Sequence, residues 1–104
     1  MEPLLLYTSW PESESAKACA RALLEERLIA CANLFPPGVS LYRYEGALHE
    51  EPEHVMILKL TRRTVQKVID KLRAAHPYTC PCVLVLPVEG GSSPFLQWIV
   101  RETS

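Results

Sequence analysis

The stretch from residue 28 to residue 60, LIACANLFPPGVSLYRYEGALHEEPEHVMILKL, decides how this chain folds. Leu28 to Phe35 is apolar and compatible with a strand, and Pro36-Pro37-Gly38 interrupts it. Val39, Leu41, Tyr42 and Tyr44 resume in extended form, and Glu45-Gly46 is a tight-turn signal. The polar segment His49 to Glu53 contains Pro52, and His54 to Leu60 reads as a further strand. The whole reads as one long hairpin with a kink in each arm. Each arm spans about sixteen residues, where a usual strand has roughly five or six. A chain of 104 residues cannot cover arms of that length with its own helices. Leu41, Tyr42 and Tyr44 would sit in water, and long bare strands invite pairing with another chain. The hairpin therefore implies self-association; the bland alternative is a hairpin that tolerates exposed tyrosines.

The flanks complete the fold. Leu4 to Thr8 reads as a buried strand. Ser9 and Glu12 have the form of a capping box, and Pro11 suits a first helical turn. Ala16, Cys19, Ala20, Leu23 and Leu24 then form an apolar helical stripe. After the hairpin, Thr61 or Thr64 caps a second helix with Val65, Val68, Ile69 and Leu72 on one face, stopped by His76-Pro77. Cys82 to Leu86 is the fourth strand, and Ser93-Pro94 opens a short helix with Phe95, Leu96 and Ile99 facing inward. The order β-α-β-β-α-β plus a helix predicts an α+β, ferredoxin-like split βαβ fold in one domain over residues 1–104. Helices would cover one face of a four-stranded antiparallel sheet.

Composition narrows the function. Hydrophobic residues make up 48% and charged residues 22%, so the chain is globular. The formal net charge is -1, and Arg62-Arg63 alone is no nucleic-acid footprint. No run is long enough for a membrane helix, so membrane insertion is not expected. Met1-Glu2-Pro3 leads straight into strand-like sequence with no signal peptide in view. Four cysteines without disulfide spacing point to reduced thiols and a cytoplasmic location, with an upstream targeting segment left open.

The chemistry-bearing residues each have a plain structural reading beside the functional one. Cys80-Pro81-Cys82 is not C-x-x-C, so the thioredoxin-type thiol is missing. His76, Cys80 and Cys82 would need a fourth group to complete a zinc-type site. Cys82 is expected to pack into the core, with Cys80 the exposed loop thiol. Cys31 is either buried or lining a pocket; as a nucleophile it would need a histidine such as His76 beside it. Lys59 interrupts an apolar strand, so it meets water or reaches into a pocket. The segment from His49 to His54 reads as a solvated hairpin arm, with weak divalent-cation binding as the alternative. The chain contains no G-x-S-x-G, H-E-x-x-H, P-loop or dinucleotide fingerprint.

Taken together, A-C-A-N at 30–33, S-L-Y-x-Y-E-G at 40–46, I-L-K at 57–59 and H-P-Y-x-x-P at 76–81 resemble the CutA divalent-cation-tolerance family, from Leu4 to about Ile99. The resemblance implies a ferredoxin-like subunit in a homotrimer, its long hairpins wrapping the neighbours. It implies a non-enzymatic protein linked to tolerance of copper and other divalent cations. Eukaryotic members are linked to acetylcholinesterase anchoring, so an anchoring or regulatory protein partner is a further expectation. The trimer is similar to that of PII-type signalling proteins, which implies ligand sensing at clefts between subunits.

On this resemblance Cys31, Asn33, Glu45, Lys59, His76 and Tyr78 are the candidate binding residues of an intersubunit cleft, and His76 and Cys80 the candidate metal ligands. No cofactor is required; a divalent cation or copper is the candidate ligand. The chain departs from the family at Tyr7, Ala75 and Cys82, where other members carry cysteine, histidine and glutamate. Sulfur at position 82 shifts preference towards Cu(I) or Zn. The competing reading is an acylphosphatase-type hydrolase on the same fold, but the loop after the first strand offers no phosphate-holding arginine.

Overall fold

The computed structural model describes residues 2–104. β1 (Pro3–Trp10) is followed by α1 (Ser13–Glu25), β2 (Cys31–Leu34), β3 (Gly38–Tyr44), β4 (Ala47–Thr61), α2 (Val65–Ala75), β5 (Val83–Pro87) and α3 (Ser93–Glu102). The strands pair antiparallel in the order β2-β4-β1-β5, and β3 pairs with the outer part of β4. The expected α+β, ferredoxin-like arrangement is present, with five strands in place of four.

Alternation along β1 assigns the two faces. Leu4, Leu6, Thr8 and Trp10 are buried, and the residues between them are half-buried. Their β4 partners Leu60, Leu58 and Met56 are buried on the same face. Against them pack Ala16, Cys19, Ala20 and Leu23 of α1 and Val68 and Leu72 of α2. Fully burying one such leucine contributes about 2 kcal/mol, so this two-helix layer is the main source of the chain's stability. Leu24, expected in the stripe, is 40% exposed. It lies at the rim of the stripe, beyond the reach of the sheet.

The local signals differ in two places. Ser9 and Trp10 continue β1, so the expected capping box does not form. Glu12 takes the N-cap position without a side-chain bond, and the Ser15 hydroxyl donates to the Glu12 carbonyl (3.2 Å). Strand pairing to His54 holds Trp10 extended and outcompetes the cap. Leu28 to Ala30, expected in the strand, precede β2 in the turn that follows α1, where Arg27 adopts a positive φ of 58°. Arg27 N–H donates to the Leu24 carbonyl and Leu28 N–H to the Leu23 carbonyl, a Schellman closure.

The hairpin has one broken arm. β2 and β3 are separated at Phe35–Pro37, whereas β4 runs uninterrupted for 15 residues through Pro52. Pro52 pairs with Val39, where β4 has a neighbour on one side only, so a residue lacking N–H is tolerated. At the tip, Glu45 (φ 49°) and Gly46 (φ 81°) form a two-residue turn of the twist that hairpins favour. The arm gives the chain its length, 44 × 25 × 23 Å.

The second sheet face is only partly covered. α3 packs at its Pro3/Thr61 end, where the Thr61 and Thr103 hydroxyls lie 3.4 Å apart and Ile99 is buried. Phe95, expected inside, is 45% exposed, and Lys59 Nζ sits 5.5 Å from its ring centroid. Leu84 and Leu86 of β5 share this face with Tyr7 and Leu5, and remain 57% and 43% exposed.

Candidate functional site

The register places three groups of candidate residues apart. Cys31 and Asn33 of β2 stand opposite Lys59 and Ile57 of β4 on the open face. Lys59 Nζ donates to Asn33 Oδ1 (2.7 Å) and to Cys31 Sγ (3.5 Å), and the Cys31 thiol lies 3.8 Å from Asn33 Oδ1. Lys59 thus interrupts an apolar strand because it carries this polar cluster, and Cys31 is half-buried and not in the core. Glu45 sits at the hairpin tip, away from the other candidates.

His76 and Tyr78 belong to the third group, at the base of the hairpin. His76 is 7% exposed, and its Nε2 donates to the Ser9 carbonyl (2.8 Å). Its Nδ1 accepts from the Tyr78 N–H (3.1 Å), which fixes the tautomer. The ring packs against Trp10 (4.2 Å between centroids) and Tyr78 (4.9 Å). Both nitrogens are engaged by backbone, so a metal at His76 would first have to displace one of these bonds. The geometry makes His76 the clamp that holds the loop 76–82 against the end of β1.

That loop forms one wall of a cleft of roughly 770 Å³. β1 supplies Tyr7 and Ser9, β3 supplies Tyr42 and Tyr44, and β4 supplies Glu53 and Val55. Tyr78, Cys80 and Cys82 close the loop side. Cys82 therefore does not point into the core: it is half-buried and faces the same cleft as Cys80. Val83 pairs with the inward Thr8, and Cys82, one residue earlier, falls on the opposite face. Burial raises the Cys82 thiol above its ordinary value; the Ser9 contact opposes this, and the Glu53 carboxylate adds to it.

The cleft is acidic and aromatic. Tyr78 Oη donates to Glu53 (3.4 Å) and Tyr42 Oη to Glu51 (3.2 Å). Burial raises the Tyr78 phenol, helped by Glu53; burial also raises that of Tyr42, helped by Glu51. Among the described residues no lysine or arginine lines the cleft. No group of three or more metal-donor side chains converges anywhere among the described residues. Sequence reasoning missed Tyr7, Tyr42, Tyr44 and Glu53 as a single site; the signal was the 2-residue spacing of Tyr42 and Tyr44, which puts both rings on one face of β3.

Fold and cleft together define a small α+β protein with a partly covered antiparallel sheet. The chain belongs to the CutA1 family: the profile described as CutA1 divalent ion tolerance protein matches residues 4–102. The divalent-cation tolerance protein CutA of Thermus thermophilus is 38% identical over 103 residues, covering 99% of each chain. The human protein CutA is 39% identical over 93% of this chain, which spans 54% of that longer protein. The solved structure of the periplasmic divalent cation tolerance protein CutA from Archaeoglobus fulgidus superposes with a TM-score of 0.94 at 35% identity, covering 98% of this chain and 99% of that one. No described helix is long and apolar enough to cross a membrane.

Proposed function

We propose that this chain is a homotrimeric, non-catalytic binding protein that responds to metal ions, copper among them, in the cytoplasm. The observation that carries the assembly is the open sheet face. Leu5, Tyr7, Ile57, Leu84 and Leu86 share it through the strand register, and α3 reaches only one end. An apolar sheet face in water is unfavourable, and further copies of the same chain are its simplest cover. The protruding hairpin has the length to reach past the subunit's own core.

The donor chemistry favours a soft ion of low coordination number. Cys80 and Cys82 line one cleft, and thiolates select Cu(I) over hard divalent ions. A four-donor zinc site or an oxygen cage does not fit this chain, because no three donors converge among the described residues. Sedimentation at micromolar protein tests the assembly: a species three times the 11.7 kDa subunit is expected, and a stable monomer sinks the reading. Competitive Cu(I) titration under reducing conditions tests the ion. Affinity lost in both Cys80→Ser and Cys82→Ser supports it; affinity unchanged in both overturns it.

A further inference from the structure

Cys31 and Lys59 face each other across the β2/β4 pairing, and neither lines the cleft at the hairpin base. Lys59 Nζ donates to Cys31 Sγ at 3.5 Å and is anchored by Asn33 Oδ1 at 2.7 Å. The Phe95 ring lies 5.5 Å from Nζ and packs on Trp98, with 5.4 Å between their centroids. A lysine on a strand ordinarily swings its amine into water. Here Asn33, Cys31 and Phe95 hold it against a sulfur of the strand opposite. Among the described residues no carboxylate lies within ion-pair distance of Lys59. Cys31 is a free thiol and half-buried. The pair thus brings an amine and a thiol into direct contact.

We infer that hydrogen peroxide joins Cys31 and Lys59 through a bridging oxygen, as Sγ–O–Nζ, and so staples β2 to β4. One peroxide oxidises the thiol to sulfenic acid: the S–H and O–O bonds break, an S–O bond forms and water leaves. A second peroxide takes one hydrogen from the sulfenic O–H and one from the free amine, and is reduced to two waters. The N–O bond forms in that step, so the pair loses four electrons in all and gains one oxygen. A single bridging oxygen spans less than the 3.5 Å gap, and the flexible lysine stem closes the difference without moving either strand. β2 is the edge strand of its sheet, paired with β4, so the link pins a strand supported on one side. The joined residues are 28 positions apart, and the loop they close carries the whole hairpin arm. Closing such a loop restricts the unfolded chain and favours the folded one. Both reacting groups come from one chain, and only peroxide has to reach them. Further copies on the open face therefore remove neither reactant. The link is neutral, so it also takes an unpaired charge off that face.

The full chain in its native assembly is reduced, freed of reductant and metal, and treated with hydrogen peroxide that catalase then removes. Peptide mapping without reductant should find the Cys31 and Lys59 peptides joined, with one oxygen more and two hydrogens fewer than their sum. Dithiothreitol should return both peptides to their starting masses. In Lys59→Arg no joined peptide should form, and Cys31 should run on to sulfinic acid. In urea at one fixed protein concentration, the oxidised chain should unfold at a midpoint higher by about 1 M or more. That shift should vanish on reduction and in Cys31→Ala, which carries the comparison if Lys59→Arg folds poorly. Cys31 left as a thiol, Cys31 oxidised to sulfinic acid beside an unmodified Lys59 in the parent chain, a link that lacks the oxygen, or an unmoved midpoint each overturns the inference. The link uses neither Cys80 nor Cys82, so the Cu(I) titration reads other thiols and either reading can fail alone.

Discussion

At the scale of single residues, the cleft owes its shape to His76. Its ring donates to the Ser9 carbonyl of β1 on one side and accepts from the loop backbone on the other, so the loop carrying Tyr78, Cys80 and Cys82 is fixed relative to Tyr7. The thiols then differ by environment. Cys80 is exposed, Cys82 is half-buried with its thiol raised by burial, and Cys19 is buried in the core with its thiol raised for the same reason. Only the thiolate reacts, and below its pKa its fraction falls about tenfold for each unit of upward shift. Alkylation by iodoacetamide near neutral pH should therefore label Cys80 first, Cys82 more slowly and Cys19 last. The Cys82 rate should keep climbing with pH beyond the ordinary thiol value of 9.0. A peptide-resolved time course checks this, and Cys82 reacting ahead of Cys80 would contradict the placement of both side chains.

At the scale of elements, periodicity was a reliable guide where one face of an element meets the core. The stripes Ala16–Leu23 and Val68–Leu72 and the alternation of β1 were legible because each side chain's burial follows from its own spacing. The errors fall where pairing partners decide. Ser9 has the chemistry of a cap yet lies in a strand because β4 extends to pair it with Val55. Pro52 looked like a break, yet β4 passes through it because one side of the strand is unpaired there. Cys82 looked like core because it adjoins an apolar run, yet the register with β1 turns it outward. The candidate site suffered most. Four tyrosines spread over the chain meet only through tertiary register, and no local spacing beyond that of Tyr42 and Tyr44 announced it. Helix endings carry a similar lesson. Arg27 occupies the left-handed position of a Schellman closure, which costs a residue with a Cβ about 1–2 kcal/mol. Its ion pair to Glu102 is 3.8 Å long and exposed, so it offsets little of that. Arg27→Gly should stabilise the fold by about 1 kcal/mol, less the entropy that glycine adds to the unfolded chain. Gly46→Ala at the hairpin tip should destabilise by a similar amount, since nothing lies within 4 Å of the added Cβ and backbone strain alone sets the cost. Urea unfolding at one fixed protein concentration measures both, and opposite signs are expected.

At the scale of the molecule, the chain is a one-sided sandwich with an arm. Its two-helix layer buries the β1 and inner β4 residues of one sheet face, and its third helix closes only the Pro3/Thr61 end of the other. The open part carries leucines at adjacent register positions, with Leu84 and Leu86 each more than two-fifths exposed. If the proposed trimer covers this face, folding and association are linked, and stability depends on protein concentration. Replacing Leu84 with glutamate then places a charge in an apolar interface, where an unpaired buried charge costs several kcal/mol. In an isolated subunit the same glutamate would sit in water at a 57% exposed position and change stability little, within about 0.5 kcal/mol. The two cases separate cleanly. For the trimer, Leu84→Glu should lower the sedimentation mass towards the 11.7 kDa subunit and lower the melting temperature, with the loss largest at low protein concentration. For a monomer, neither mass nor melting temperature should respond, and the parent protein should melt at the same temperature at every concentration. Leu24→Glu is the matched control: Leu24 is similarly exposed, at 40%, but lies on α1, away from the open sheet face, and its replacement should leave the assembly intact.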